Sequence, residues 1–306
     1  MVKYLCLFLL LICGCKRENK QETTTIRVSV LRGPSALAFA DWMENTHQIQ
    51  GKTLSVELVD SPDFMQAALV KGETDIAVLP MINAANLYNK GIRYAVLGCP
   101  VWGTLYLVDK KEENKKGMEP ASLYIFGAGT TPDILTRYYL EKNNLNYPLN
   151  YSFATAREVV QGFAAGKIQR AVMSEPYLSM ILKKESSLQI IADLNRQDSS
   201  SFGFAQTAVM LHPSLEDKRH VLDSLLDISC RYANEKPGEA IRILESKEVF
   251  PAGMLTPESI ERCKIHYLPA GKARENILHF LYLIKQYEPE SIGGKLPDYG
   301  FTGTPL

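Results

Sequence analysis

The chain has 306 residues, of which 34 are basic and 34 acidic, and 46% of it is hydrophobic. That balance leaves no net field to attract nucleic acid or an anionic bilayer, which excludes binders that work by bulk charge. The length allows two domains of ordinary size.

Lys3 gives a short positive start, and Tyr4 to Cys13 is an almost unbroken apolar run, too short for a stable membrane span and suited to a secretory signal. It ends in Ile12-Cys13-Gly14-Cys15, followed by Lys16-Arg17-Glu18-Asn19-Lys20. Small residues before a cysteine at that point resemble a bacterial lipobox. The resemblance implies cleavage before Cys15 and acylation of its thiol and new amino group, despite an unusual Cys13. Residues 16–25 are polar without an apolar period and read as a flexible tether. No second long apolar segment follows, so a soluble body held by lipid chains is expected.

Ile26 to Leu31 alternates as a strand and runs through Arg32-Gly33-Pro34-Ser35 into an apolar helix from Ala36 to Met43. Leu54 to Val59 is a second strand. Ser61-Pro62 caps a helix that Gly72 stops. Ile76 to Leu79 is a fully apolar strand, Met81 to Asn89 a helix, and Tyr94 to Leu97 and Leu105 to Val108 are strands. Such alternation implies a largely parallel sheet between helices. Lys110 to Pro120, charged and Gly-containing, reads as a connection between lobes. Beyond it come a strand at Leu123 to Phe126, a helix capped by Thr131-Pro132-Asp133, and a capping box at Thr155 to Glu158 opening a helix that Gly166 closes. Ala171 to Met173 is a strand, Ser174 to Lys183 a helix, and Leu188 to Ala192 a strand; Asn195 to Ser201 reads as a loop or second crossing. Thr207 to Leu211 is a further strand. The rest is mainly helical, with an amphipathic helix over Arg274 to Tyr287.

Gly72 to Pro80 is echoed by Gly166 to Ser174, each a glycine stop followed by a short strand containing Ala-Val. Gly33-Pro34-Ser35 and Gly129-Thr130-Thr131 stand in the same relation, after a strand and before a helix. Two similar α/β halves follow, and two such halves facing each other form a cleft at the carboxyl ends of their strands. Arg32, Pro34, Ser35 and the pair Pro80 and Asn83 are candidate ligand residues of the first half. Gly129, Thr130, Thr131, Ser174, Glu175 and Tyr177 are those of the second. Trp102 and Phe202, near the two crossings, are core residues or cleft walls. With Tyr177 and Phe204 they motivate an expectation of a small organic solute with a planar or aromatic portion.

No catalytic or metal constellation stands out. The five histidines are scattered, and Cys263 and His266 lack two further ligands. The G-x-G at Gly127 has no third glycine, and no nucleophile elbow or Walker loop occurs. Cys99, Cys230 and Cys263 remain after the signal; three buried thiols are expected, with one disulfide as the alternative.

Arg32 to Ser35, Gly72 to Ala77, Gly127 to Pro132, Met173 to Pro176, Arg262 to Ile265 and Ser291 to Asp298 together resemble the ABC-transporter solute-binding lipoproteins of the nitrate/sulfonate/taurine group, which share a domain with thiamine pyrimidine-precursor proteins. The resemblance implies a two-lobed type II periplasmic binding protein with two crossings, residues 26–109 and 204–306 forming one lobe and 110–203 the other. It implies a monomer without cofactor or catalytic residues, lipid-anchored on the periplasmic side of the cell membrane, whose partners are a small-molecule solute and an ABC permease of the inner membrane. Two alternatives remain. One is an enzyme on the same scaffold acting on a pyrimidine or small carboxylate metabolite, against which the dispersed cysteines argue. The other is a ligand-sensing subunit.

Overall fold

The computed structural model describes residues 24–111, 122–196 and 202–303. The signal run, Cys15, nearly all of the expected tether, most of the charged stretch after Lys110 and the end of the loop from Asn195 lie outside the described residues.

Strand β1 (Thr25–Leu31) leads through a 3-10 turn into the short α1 (Ala40–Glu44). Strands β2 (Gln48–Ile49) and β3 (Lys52–Val59) precede α2 (Pro62–Lys71). The Ser61 hydroxyl accepts from Phe64 N at 3.4 Å, and Gly72 ends α2 with φ 66°, a left-handed turn that glycine adopts without steric cost. Then come β4 (Ile76–Pro80), α3 (Met81–Asn89) and β5 (Ala95–Val101). The chain passes at Trp102-Gly103-Thr104 into β6 (Leu105–Lys110), β7 (Leu123–Tyr124), α4 (Thr131–Lys142) and β8 (Leu149–Asn150). Next are α5 (Ala156–Ala164), β9 (Arg170–Ser174), α6 (Tyr177–Lys184) and β10 (Leu188–Asp193). After its return the chain forms β11 (Thr207–Leu211), α7 (Arg219–Glu235), α8 (Pro237–Ser246), α9 (Pro257–Arg262), β12 (Ile265–Pro269) and α10 (Ala270–Tyr287).

Among the described residues these strands make two sheets, one of seven strands in the order β12-β5-β11-β4-β1-β3-β2 and one of five in the order β10-β6-β9-β7-β8. Both are mixed. Pairs β1–β3, β1–β4, β7–β8 and β7–β9 are parallel, as expected of strands joined through helices, whereas β11 and β6 enter antiparallel to their neighbours. Both of those strands begin immediately after a passage between the sheets, where no crossover helix imposes a parallel return.

Strand β6 pairs with β9 and β10, so the first passage lies at residues 102–104 and not within the charged stretch after Lys110. The expected boundary at residue 109 falls within β6. Composition marks solvated linkers, and this passage is a short, buried one: Trp102 is 1% exposed and donates Nε1–H to His266 O at 2.6 Å.

Asn195, fully buried, fastens the two passages together. Its Oδ1 accepts from Thr104 N at 2.8 Å, Leu105 N at 2.9 Å and Gln206 Nε2 at 3.0 Å, and its Nδ2 donates to Leu105 O at 2.8 Å. Glycines allow this approach: a Cβ on Gly103 would lie 2.6 Å from the Asn195 side chain, and one on Gly203 would lie 2.2 Å from Trp102 O.

One apolar cluster, with Phe39, Trp42 and Leu222, covers one face of the larger sheet under α7 and α8. The other face packs on α3 and α10, and that cluster continues through Phe204 to Ile134 and Leu135 of α4 beside the smaller sheet.

Candidate ligand-binding cleft

Between the sheets lies a cleft of about 490 Å³, a volume suited to a small solute. Eight of the thirteen residues singled out from the sequence line it: Pro34, Ser35, Pro80 and Asn83 from the larger sheet's loops, and Gly129, Thr130, Thr131 and Ser174 from the smaller sheet's. The carboxyl ends of β1, β4 and β9 deliver the flanking loops, where open α/β sheets gather ligands.

The other five sit elsewhere. Arg32 donates Nε–H to Asp60 at 2.8 Å and its Nη1 to Glu248 O, and it is not among the lining residues. Trp102 is core. Phe202 is half-exposed outside the cleft, edge-on to Trp102 and His266 with ring centroids at 6.1 and 5.4 Å. Tyr177 packs between α6 and the neighbouring core. Glu175 is buried beneath Ser174 and bonds Arg262 through Nε and Ser179 through N (3.2 Å) and Oγ (3.0 Å). Phe204 likewise stacks in the core on Phe280 at 5.5 Å. The aromatic wall that motivated a planar solute is therefore absent from the cleft, whose aromatic lining residue is Phe126.

Several lining residues were not foreseen. Thr104, Leu105, Gln206 and Thr207 follow directly from the passages between sheets, and the dipeptide glycines there were the available signal. Ser291 belongs to a tail segment to which no role had been given. Pro62, Ile82 and Phe126 supply apolar surface, and nothing in their local sequence distinguishes them from core residues.

Among the described residues, the lining carries hydroxyls and amides but no ionisable side chain. Ser35 Oγ and Thr207 Oγ1 are 3.2 Å apart, and Thr104 Oγ1 lies 3.3 Å from Gln206 Oε1. Thr130 Oγ1 donates to Gly127 O at 2.5 Å, and both Thr130 and the neighbouring Thr131 line the cavity. Helices α2, α3 and α4 all begin at the cleft, with Pro62, Ile82 and Thr131 of their first turns in its lining. First-turn amides have no acceptor inside their helix and carry the positive end of the helix dipole. The cleft therefore favours a ligand group rich in hydrogen-bond acceptors, set against modest apolar surface, and it offers a cation no carboxylate.

Charged groups stand behind the walls. Burial raises the Glu175 carboxyl above its ordinary range against the opposing pull of Arg262 and Ser179. Lys264, 2.6 Å from Asp193 beside the passages, is pulled below its ordinary range by burial. Asp133, also buried, accepts from Gly129 N at 2.9 Å behind the cleft loop. Burial and a hydrogen bond to Asp133 push the Tyr151 phenol up to about 12. No helix among the described residues is long and apolar enough to cross a membrane, and no group of three metal-ligating side chains forms among them.

No protein-family model matches the chain, and neither does any curated protein. Solved structures do. A crystal structure of an ABC transporter from Parabacteroides distasonis is 57% identical, covers 91% of this chain and 98% of its own, and superposes with a TM-score of 0.86. The periplasmic aliphatic sulphonate binding protein of Escherichia coli has a TM-score of 0.73 at 13% identity, covering 92% and 93% of the two chains. The periplasmic nitrate-binding protein of Synechocystis PCC 6803 has a TM-score of 0.59 at 13% identity, covering 89% and 84%. The last two share the fold.

Proposed function

We propose that this chain, which belongs to the ABC-transporter family, is an extracytoplasmic solute-binding lipoprotein that captures a small organic solute in the interlobe cleft and delivers it to the permease of an ABC importer. The observation that carries this reading is the cleft itself, faced by equivalent loops of two sheets and lined, among the described residues, by hydroxyls, amides and helix first turns without an ionisable group. Such a lining binds an acceptor-rich head by oriented dipoles and leaves apolar walls, notably Ile82, Leu105 and Phe126, for a short organic body. A sulfonate or carboxylate head on a short chain has that chemistry, and sulfonates are what the Escherichia coli protein of this fold is described as binding.

Binding is favoured over catalysis because the described lining residues include no titratable side chain to serve as general acid or base. Residues 26–104 with those from Thr207 onward make one lobe in this reading, and the segment between makes the other, with closure by hinge motion at the two passages. The anchor is the lipid on Cys15, and the working form is a monomer.

A thermal-shift series on the chain from Lys20 tests the solute class. Short alkanesulfonates and carboxylates are expected to raise the melting temperature, alkylammonium ions to leave it unchanged. Stabilisation by inorganic anions alone, or by cations, would overturn the class. Asn83→Ala is expected to abolish the shift without changing the unliganded melting temperature by more than about 2 °C, since a surface change away from packing costs little. Cys15→Ser is expected to release the protein from membranes; a variant that stays membrane-bound removes the lipid anchor from the proposal.

A further inference from the structure

Two cleft-lining segments, one from each lobe, are held from behind by a single side chain. Gly129 and Thr130 belong to the loop that opens α4, and Ser291 belongs to the turn that follows α10. Behind the first, Asp133 is 4% exposed; its Oδ2 accepts from Gly129 N at 2.9 Å and its Oδ1 from Tyr151 OH at 2.8 Å. Behind the second, the Glu288 carbonyl accepts from Ser291 N at 3.1 Å and Ser291 Oγ at 2.7 Å. Arg137 joins them. Its Nε and Nη2 donate to the two Asp133 oxygens at 3.1 Å each, and the same Nη2 donates to Glu288 Oε1 at 2.7 Å. Its guanidinium also lies 5.3 Å from the centre of the Tyr287 ring.

We propose that Arg137 is a positioning residue for solute capture, a bridge whose Asp133 end fixes the cleft loop of one lobe and whose Glu288 end fixes the cleft turn of the other, so that closing the cleft makes the bridge and opening it breaks the bridge. The planar guanidinium suits this role because it meets two carboxylates in one plane, which a lysine ammonium does not. The Asp133 half is a helical i, i+4 pair in a buried setting and survives either state. The Glu288 half spans the lobes, with Arg137 27% and Glu288 39% exposed, so water and salt reach it. It is therefore the half that a hinge motion can make and break at low cost. The same two helices also meet through apolar packing and through Tyr287 OH, which donates to Glu141, and the proposal assigns the salt-sensitive part of the contact to the ion pair.

Only the consequence for affinity rests on the cleft being the solute site; the geometry can be tested without any solute. Spin labels on Asp63→Cys at the start of α2 and Arg157→Cys at the start of α5 report the distance between lobes. The full chain carries Cys6→Ser, Cys13→Ser and Cys15→Ser, and the buried Cys99, Cys230 and Cys263 are out of a label's reach. With the bridge intact, the distance distribution at low salt is expected to hold a major short component. Glu288→Gln keeps Arg137 on Asp133 and cuts only the link between lobes. It is expected to shift population to the longer component by about two- to five-fold, the range of a single partly exposed ion pair. Sodium chloride at 1 M should do the same to the wild type and add nothing to Glu288→Gln. Arg137→Met should match Glu288→Gln in distance, whatever it does to melting temperature. Identical distributions for wild type and Glu288→Gln at both salt concentrations would overturn the proposal and reduce the bridge to a static strut, leaving the importer reading untouched.

Discussion

Replacing Glu175 by Ala removes an acid that the fold has walled in completely. Its side chain is 0% exposed and takes hydrogen bonds from Arg262 Nε and from Ser179 N and Oγ; Arg262 Nη2 in turn donates to Ser179 Oγ at 2.6 Å, and Ser259 Oγ donates to the same oxygen at 2.8 Å. Glu175 directly follows β9 and Arg262 closes α9, so the cluster fastens the smaller sheet to the helices over the larger one. Breaking a buried pair by deleting one partner costs about 3–5 kcal/mol, because the survivor stays desolvated without its counter-charge. Arg262 is 23% exposed, so water rescues part of its charge and the lower end, about 3 kcal/mol, applies. For a domain of this size that lowers the melting temperature by roughly 6–12 °C. The pair itself is a weak net stabiliser, since burial already raises the Glu175 carboxyl despite Arg262. Glu175→Leu with Arg262→Met should therefore lose less than Glu175→Ala alone. Thermal unfolding followed by circular dichroism checks both. A Glu175→Ala variant melting within about 2 °C of the wild type, on the usual scale for a surface change, would refute the argument, and so would a double variant worse than the sum of its parts.

Three other outcomes follow from the same coordinates. Asn195→Ala leaves the buried amides of Thr104 and Leu105 without their acceptor, at about 1–3 kcal/mol each; urea unfolding should place it at least about 2 kcal/mol below the wild type, and a smaller loss would mean that water enters the crossing. Burial pushes the Asp75 carboxyl up, but hydrogen bonds from the side chain and backbone of Arg27 outweigh that and hold it below its ordinary value. A carboxylate lowered in this way stabilises the fold above its unfolded value of about 3.9 and loses that contribution as pH falls through the lower folded value. The stability gap between wild type and Asp75→Asn, measured by urea unfolding, should accordingly narrow below pH ~4; a gap that widens there reverses the sign of the argument. Burial pushes the Cys99 thiol up to about 12 and also raises those of Cys230 and Cys263. In the chain from Lys20, these thiols should react with an aromatic disulfide at pH 8 only once denaturant is added; reaction of the native protein at the rate of free cysteine would show that one of them is accessible.

Much of the scaffold was legible locally. Ser61-Pro62, Thr155 and the glycines at 72 and 166 act within one turn of themselves, so caps and stops sit where the sequence put them; both glycines adopt φ 66° before the echoed strands β4 and β9. The capping box at Thr155 is only half formed, because Glu158 reaches back to Ala154 N at 2.7 Å and not to the Thr155 amide. Ala171 to Met173 and Ile76 to Leu79 were readable as short strands and lie within β9 and β4, whose ends and following loops hold Ser174, Pro80 and Asn83 of the cleft. The charged and aromatic candidates misled for one shared reason. Arg32, Glu175, Trp102 and Phe204 have chemistry that suits a ligand, and partners remote in the sequence claimed it first: Asp60 and Glu248 for Arg32, Arg262 for Glu175, His266 for Trp102, Phe280 for Phe204.

The sequence by itself determined the class of the chain and the alternation of its longer strands and helices as far as β11, but not β2, β8 or β12. Only the tertiary structure decided where the chain crosses between sheets, which loop residues line the cavity, and that the described residues of its lining carry no charge. The division follows from range. Backbone caps and hydrophobic periods are satisfied within a few residues, whereas the direction of a loop side chain is settled by whichever distant group desolvates and bonds it.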